Sequence, residues 1–422
     1  MIQILVPLTI TRDNIMICHR RHAMIQICAY LLLSLLFAYP AQSEHFNSLK
    51  PAAKGQTVYF NAWGGDAKIN SYISWASEIV KKRYDITLVH VKLTDTASAV
   101  SRLLAEKTAG RGSDGTIDLL WVNGENFAAM KRADLLQSQP WVAHLPNWQL
   151  TDPVALPAII SDFAEPTDGK ESPWGRAQLV FAHDSKKLPN PPRSTTALAQ
   201  FIENNPGRFT FPQPPDFVGV SFLKQVLIEL TNSHPSLYGP VHDADFDAVT
   251  APLWDWLDVA KPNLWRRGTA HPQNYPVLRQ LLGDGEIDIA MAFNPADASA
   301  AIARGELPDS VRTYIHDAGT LANVHFLAIP FNAAAAEGAQ VVANFMLSPE
   351  AQIKKADSRI WGDPTVLSIP RLNTADQAEF MALPRGIATL SEAELGRSLA
   401  EPHPSWVPRL EQAWKQRYAS GQ

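Results

Sequence analysis

The sequence predicts an α/β protein that folds into two lobes. The chain has 422 residues, which is more than one ordinary domain needs. Its composition, with 46% hydrophobic and 19% charged residues, is typical of a protein with a large packed core. A strand–turn–helix pattern occurs three times before residue 135, which indicates βαβ units of a parallel sheet. We expect two sheets rather than one.

The individual elements follow from hydrophobic periodicity. Strands are predicted at 57–62, 86–93 and 117–122, and apolar residues at helical spacing predict helices at 70–83 and 98–107. Beyond these, the same criteria predict strands at 178–182, 209–211, 286–292 and 324–330, and helices at 197–204, 219–230, 338–347 and 350–356.

The first 43 residues have the organisation of an export signal. Arg20 and Arg21 supply positive charge, and residues 24–38 form an apolar run that is too short to span a bilayer. The small residues Ala41 and Ser43 then provide a cleavage site. We expect cleavage after Ser43 and a mature protein in the periplasm. A retained membrane anchor is disfavoured because no stop-transfer pattern follows.

Charge and cysteine content exclude some classes of function. The chain has 37 Lys and Arg against 42 Asp and Glu, a net charge of −5, and contains no basic block. Nucleic-acid binding therefore has no electrostatic support. Because the only cysteines, Cys18 and Cys28, lie in the leader, the body of the protein has neither a disulfide framework nor a cysteine-based zinc site. We expect no cofactor and no metal site.

The common catalytic signatures are absent from the sequence. The stretch Gly219–Phe222 lacks the closing glycine of a nucleophile elbow, and Gly64-Gly65 lacks the lysine of a phosphate-binding loop. The histidines show no metal-ligand spacing. We therefore predict no catalytic residues, although an exported hydrolase or transferase stays open as an alternative, because motif absence excludes catalysis poorly.

Three predicted strand-to-helix turns carry residues suited to ligand binding. These turns are Trp63–Asp66, Gly124–Phe127 and Phe293–Pro295. Ligands of parallel α/β sheets bind at the carboxyl ends of strands, where such turns expose backbone N–H groups. Trp63 can stack on a flat or cationic ligand, and Asp66 or Glu125 can pair with its charge. The alternative is structural: the tryptophan covers the sheet and the acids cap helices.

Several stretches resemble the extracytoplasmic solute-binding proteins of ABC importers, especially the branch with thiamine-, polyamine- and ferric-iron-binding members. The stretches that carry the resemblance are 211–223, 281–290, 323–333 and 339–352. The last two contain motifs similar to the family's, Ile329–Ala333 and Ser348–Gln352. Residues 63–70 and 121–127 look like those of an uncharacterised subgroup often placed beside thiamine importers.

This resemblance implies a type II periplasmic-binding-protein fold. Each of its two lobes would be a mostly parallel sheet flanked by helices, with crossover strands near 178–183 and 314–325 that allow closure on a solute. The implied division of the chain is a signal peptide (1–43), a first lobe (44–180 plus 320–347), a second lobe (181–319) and a C-terminal helical segment packed on the lobes (348–422). Such a protein acts as a monomer that delivers a small solute to an inner-membrane ABC permease with its ATPase.

The ligand site is expected in the cleft between the lobes. The expected ligand-binding residues are Trp63, Gly64, Gly65, Asp66, Asn70, Gly124, Glu125, Asn126, Phe127, Trp174, Phe217, Gly219, Asn294 and Asn323. Ferric iron is disfavoured because the chain lacks the adjacent tyrosine pair of its iron-binding relatives. The acidic balance favours an organic cation such as thiamine or a polyamine. An anion at the helix N-termini near Gly65 or Gly219 remains an alternative.

Overall fold

The computed structural model describes residues 46–391 and 393–419, so the predicted signal peptide lies outside the described residues. The strands are, in chain order, β1 (Thr57–Trp63), β2 (Thr87–Leu93), β3 (Leu119–Val122), β4 (Ser161–Asp162), β5 (Glu165–Pro166), β6 (Glu171–Gln178), β7 (Val180–Asp184), β8 (Ile289–Ala292), β9 (Val311–Tyr314), β10 (Thr320–Ala328) and β11 (Ser398–Leu399). The helices are α1 (Ala67–Tyr84), α2 (Thr96–Thr108), α3 (Gly124–Arg132), α4 (Thr195–Asn204), α5 (Phe217–Leu230), α6 (Asp243–Ala260), α7 (Tyr275–Gly283), α8 (Asp297–Ala303), α9 (Ala336–Met346), α10 (Pro349–Ala356), α11 (Thr374–Ala382) and α12 (Trp406–Trp414).

The first lobe contains a mixed sheet with the strand order β2-β1-β3-β10, in which β10 also pairs with β6 and β11. Strand β1 is parallel to β2 and β3, whereas β10 is antiparallel to β3 and β6. The βαβ arrangement predicted for the N-terminal part of this lobe is therefore confirmed. Because β1, β2 and β3 run in the same direction, their carboxyl ends meet at one edge of the sheet and place the turns that follow them side by side.

The second lobe contains a smaller sheet with the order β8-β7-β9, and here one detail of the expected fold is wrong. We expected mostly parallel pairing in both lobes, but β7 is antiparallel to both of its neighbours. The reason is that β7 enters from the first lobe and inserts between β8 and β9, which run in the same direction and are joined through α8. A parallel bridge between Phe209 and Ile289 continues the sheet beyond β8.

Two extended connections link the lobes. Strand β6 of the first sheet leads directly into β7 of the second, and β9 returns through a short turn to β10. Because one connection leads out of the first lobe and the other leads back, β6 and β10 pair antiparallel along Ala322 to Ala328. The two-lobe α/β architecture is thus as predicted.

Separate hydrophobic cores lie on the two sides of the cleft. One packs β1, α1 and α9 in the first lobe, and the other packs β7, α5 and α6 in the second. Trp361 belongs to the first core, whereas Trp406 and Trp414 of α12 belong to the second, so the C-terminal part of the chain contacts both lobes. The exact domain boundaries stay a prediction. None of the helices that the structure describes combines the length and apolar character needed to span a bilayer.

Candidate functional site

A cleft of about 990 Å³ lies between the two lobes. Its first-lobe wall is formed at the carboxyl ends of β1, β2 and β3 and by the first turns of α1, α2 and α3. Its second-lobe wall includes the first turns of α5 and α7 and the turn after β8, and residues of β10 and α12 complete the lining. The cleft therefore lies where parallel strands end, which is the position that ligands occupy in open α/β sheets.

The structure brings most of the predicted ligand residues together in this cleft. Those that line it are Trp63, Gly64, Gly65, Asp66, Glu125, Asn126, Phe217, Asn294 and Asn323. The other five, Asn70, Gly124, Phe127, Trp174 and Gly219, are outside the lining.

Two of those five are core aromatics. Phe127 and Trp174 are fully buried. The ring of Trp174 lies 5.0 Å from that of Trp121 and 5.2 Å from that of Trp361, and these two tryptophans do line the cleft. Trp174 therefore supports the cleft surface from behind, because other indoles cover it.

The other three residues shape the turns instead. The Asn70 side chain donates to the Gly64 carbonyl oxygen at 3.0 Å and holds the turn after β1. Gly124 has a φ of +57°, and its backbone N–H donates to Asp162 Oδ2 at 2.7 Å. A side chain at Gly219 would collide with the carbonyl oxygen of Pro212, so glycine permits this close approach.

Three helix N-termini at the cleft carry their own carboxylates. Asp66 accepts a hydrogen bond from the backbone of Lys68 at 2.7 Å, and Asp95 accepts one from Ala97 at 2.8 Å. Asp216 accepts from the backbone of residues 218 and 219, and burial raises its pKa to about 6. Asp66 thus has the capping role that the sequence analysis left as an alternative, and the N-terminal ends of α1, α2 and α5 are already occupied by negative groups.

Two further carboxylates reach the cleft from opposite sides. Glu125 lies in the first turn of α3, and Glu411 lies in α12, which packs with the second lobe. Neither forms a salt bridge with a residue that the structure describes, and Glu125 accepts a 3.2 Å hydrogen bond from the side chain of Asn126. Burial raises the pKa of Glu125, and burial together with Glu125 and Asp95 raises the pKa of Glu411 to about 7. Both groups would gain from a cationic neighbour.

The lysines of the cleft have acidic surroundings. Lys224 is buried and donates to Glu401 Oε2 at 2.6 Å. Lys68 Nζ is buried and has no hydrogen-bond partner among the described residues. Burial lowers its pKa, against the opposing charges of Asp297 and Asp66. Asp297 itself is paired with Arg279 at 2.5 Å.

Contacts between the lobes cross the cleft at Tyr275. Its ring lies 5.8 Å from that of Trp63, and its hydroxyl donates to Asp66 Oδ2 at 3.4 Å. Trp63 and Asp66 were predicted from the sequence, but their partner Tyr275 was not. The cleft residues that were not predicted include Lys68, Lys224, Tyr275, Asp297, His325, Trp361, Asp363 and Glu411. Of these, His325 had a usable signal, because it lies in the predicted strand 324–330 and two residues after Asn323, a spacing that in a strand puts side chains on the same face.

Comparison with known proteins identifies the family. The family described as bacterial extracellular solute-binding protein matches residues 75–376. The chain belongs to this family. It is 45% identical over 394 residues to the protein YnjB of Escherichia coli (strain K12), a match that covers 93% of this chain and 99% of YnjB.

Solved structures show the same fold for this solute-binding protein. The periplasmic binding protein AfuA from Actinobacillus pleuropneumoniae, with exogenous fructose-6-phosphate bound, has a TM-score of 0.61 and 13% identity, covering 87% of this chain and 99% of AfuA. A putative spermidine/putrescine ABC transporter from Listeria monocytogenes has a TM-score of 0.60 and 16% identity, with coverage of 87% and 99%. The type II fold is thus confirmed. Because one of these titles names a sugar phosphate and the other names polyamines, the fold alone does not select the ligand.

Proposed function

We propose that the cleft captures a small organic cation and that the protein delivers it to a membrane permease. The observation that carries this proposal is the excess of acidic groups in the cleft lining, which has seven carboxylates and three lysines. The carboxylates belong to Asp66, Asp95, Glu125, Asp216, Asp297, Asp363 and Glu411. A cation held among them can also stack on Trp63, which combines charge pairing with a cation–π contact.

The alternative of an anionic ligand loses support at the sites where the sequence analysis placed it. An anion binds a helix N-terminus through free backbone N–H groups. At α5 the N–H groups of residues 218 and 219 already donate to Asp216, and at α1 the N–H of Lys68 donates to Asp66. A second anion at either position would meet a carboxylate at short range.

An exported enzyme is also less well supported than a carrier. The lining contains the pair His325 and Asp363, which resembles the base and orienting acid of a hydrolase. Among the described residues that line the cleft, however, there is neither a serine nor a cysteine to act as the nucleophile. The described residues also hold no group of three or more His, Cys, Asp or Glu side chains suited to a metal ion, which supports an organic ligand over a metallic one.

The proposed location and partners of the protein follow from its predicted signal peptide and from its family. We infer export by the signal peptide 1–43, a monomer in the periplasm, and delivery to an inner-membrane permease with its ATPase. Lobe closure on the solute would present the loaded shape to the permease. Thiamine-like compounds and polyamines are the first cations to test, because they offer flat rings or several ammonium groups to the aromatic and acidic lining.

A ligand screen tests this proposal directly. Residues 44–422 would be refolded to remove any co-purified solute and then screened by thermal shift against thiamine and its phosphates, polyamines, amino acids, sugars, sugar phosphates and metal ions. A ligand at a hundred times its Kd adds about 2.7 kcal/mol of stability, which raises Tm by a few degrees. We expect an organic cation to produce this shift and to be recovered unchanged.

A matched pair of variants makes the test specific. The double variant Glu125→Gln with Glu411→Gln should abolish the shift, because it removes two cleft carboxylates that neither form a salt bridge with a described residue nor cap a helix. Glu379→Gln, at an exposed carboxylate on α11, should leave the shift intact. A shift produced by a sugar phosphate or another anion, or conversion of the compound, would contradict the proposal.

A further inference from the structure

Asn323 and His325 lie on the same face of β10, because side chains two residues apart in a strand point to the same side. Both residues are buried and both line the cleft. Their backbone pairs regularly with Ala177 and Gly175 of β6, so their separation is that of two strand residues, about 7 Å. They therefore form a fixed pair of polar groups on the strand that connects the lobes.

The Asn323 amide has one orientation only. Its Nδ2 donates to Glu401 Oε1 at 3.0 Å, and the other oxygen of Glu401 accepts from Lys224 at 2.6 Å. Because a carboxylate paired with a lysine accepts hydrogen bonds, the amide nitrogen must face Glu401. The amide oxygen, Oδ1, is buried and has no hydrogen-bond partner among the described residues.

The His325 imidazole is held in a similar way, by a carboxylate that is itself paired with a lysine. Its Nε2 lies 3.0 and 3.1 Å from the two carboxylate oxygens of Asp363, which also accepts a hydrogen bond from the buried Lys355. Burial acts to raise the pKa of Asp363, but Lys355 and His325 hold it below its usual value. The ionised carboxylate accepts a hydrogen bond from the Nε2–H group, so Nδ1 is the acceptor of the neutral ring. Within the described residues, Nδ1 is buried without a partner.

Each residue thus uses one polar atom on a carboxylate–lysine pair and keeps one acceptor unused. Buried acceptors without a donor are rare in native proteins, because leaving them unsatisfied is destabilising. Donors supplied by a bound molecule would satisfy both. We propose that the ligand is recognised through its own N–H groups, which donate hydrogen bonds to Asn323 Oδ1 and His325 Nδ1.

This inference rests on the proposed capture of an organic cation and narrows its chemical class. Positive charge alone would admit quaternary ammonium compounds, which have no N–H donors. Two buried acceptors, carried by strand residues whose backbones lie about 7 Å apart, select primary or secondary ammonium, amidinium, guanidinium or ring-amino groups. The carboxylates of the cleft favour a positively charged ligand, and the two acceptors on β10 favour a ligand that carries N–H donors.

Pairs of probes that differ only in N-methylation test the inference. Two such pairs, putrescine with its hexamethylated bis-quaternary analogue and methylammonium with tetramethylammonium, would be titrated calorimetrically into refolded residues 44–422. We expect an N–H member to bind about tenfold or more tightly than its methylated partner. Asn323→Leu should weaken the N–H member about tenfold and leave the methylated member unchanged. Asn47→Leu, at an exposed asparagine, is the matched control.

A second measurement reports on His325 without relying on the stability of a variant. Nitrogen chemical shifts of the labelled imidazole should show a protonated Nε2 and an unprotonated Nδ1 in the free protein. Adding putrescine should shift the Nδ1 resonance, and adding the methylated analogue should not. A protonated Nδ1 in the free protein would overturn the assignment.

The outcomes separate this inference from the proposed function. Equal or tighter binding of the methylated members would overturn recognition through N–H donors and leave cation capture standing. Failure of every cation, methylated or not, to bind would overturn both. Selective binding of an N–H member that Asn323→Leu reduces would support both.

Discussion

The indole ring of Trp63 lies 5.8 Å from the phenol ring of Tyr275, and the two residues belong to different lobes. The Tyr275 hydroxyl also donates to Asp66 Oδ2 at 3.4 Å, so the turn after β1 contacts the first residue of α7 at two points. Such contacts form only when the lobes are close, and they therefore couple the shape of the ligand site to domain closure. Trp63 belongs both to the interlobe contact and to the ligand site, because it also lines the cleft.

Replacing Trp63 by alanine should weaken binding of the organic cation that the screen identifies. We expect a loss of about 1–3 kcal/mol, because the variant removes both a stacking surface and an interlobe ring contact. Isothermal titration calorimetry measures the change. Trp265→Ala serves as the control, since Trp265 is a half-buried tryptophan of the second lobe outside the cleft lining. Unchanged affinity in Trp63→Ala would remove this residue from the site.

Binding should depend on pH through Glu411. The pKa of this carboxyl is raised to about 7 by burial and by the facing carboxylates of Glu125 and Asp95, and the charge of Lys224 acts in the opposite direction. A cationic ligand prefers the ionised form, so affinity should increase as pH rises from 6 to 8. In Glu411→Gln the remaining increase should be smaller, whereas in Glu379→Gln the profile should match that of the wild type. A pH profile that Glu411→Gln leaves unaltered would contradict this role.

The stability of the ligand-free protein should show the opposite trend. The folded-state pKa of Glu411, about 7, lies above the ordinary value of 4.5, so between these two pH values the folded state binds more protons than the unfolded state. This group therefore makes the free energy of unfolding fall as pH rises from 4.5 to 7. Urea titrations at several pH values would show a flatter dependence for Glu411→Gln than for the wild type.

The buried pair of Lys224 and Glu401 should be sensitive to removal of one partner. Lys224→Met leaves the carboxylate of Glu401 buried without its cation, which typically destabilises a protein by about 3–5 kcal/mol. The double variant Lys224→Met with Glu401→Gln should recover much of this loss. Urea unfolding measures both. Lys81→Met, which breaks the exposed pair with Asp85, should change the free energy of unfolding by less than about 1 kcal/mol. A Lys224→Met protein as stable as the wild type would contradict the expectation.

Local sequence patterns predicted the elements that build the first wall of the cleft. Periodicity located β1 to β3 and the helices that follow them, and parallel pairing then places the ends of these strands together. Trp63 and Glu125 were identifiable for this reason, since each follows directly at a strand end. Trp174 was not distinguishable in the same way: an aromatic residue in a strand has the same local signal whether it faces the cleft or lies beneath Trp121 and Trp361.

The remaining cleft residues depend on contacts between distant parts of the chain. Asp363 reaches His325 across 38 positions, and Glu401 reaches Lys224 across 177. No periodicity in the sequence links such partners, because their meeting depends on how the C-terminal segment packs on both lobes. The antiparallel pairing of β7 could not be predicted for the same reason. It depends on how the chain passes from the first lobe into the second, and not on the residues of the strand itself.

Gly175 is a position at which a small substitution would disturb the packing around His325 and Asp363. It pairs with His325 across β6 and β10, and an added Cβ would collide with Asp363 Oδ2 and with His325 Nε2. Its φ lies outside the left-handed region, so the effect of a substitution would come from crowding and not from backbone strain. Both side chains are buried and hydrogen-bonded to each other, and Asp363 also accepts a hydrogen bond from Lys355, so neither can move away freely.

Gly175→Ala should therefore destabilise the protein by about 1–3 kcal/mol and should also weaken cation binding, because it displaces the imidazole that lines the cleft. Gly112→Ala is the matched control: an added Cβ there meets no atom within 4 Å, and its effect should be within about 0.5 kcal/mol. Urea unfolding and calorimetric titration measure the two effects separately. Loss of stability with unchanged affinity would show that the position of His325 matters for folding alone. Loss of affinity in a protein of normal stability would show that the network chiefly orients the imidazole for its ligand.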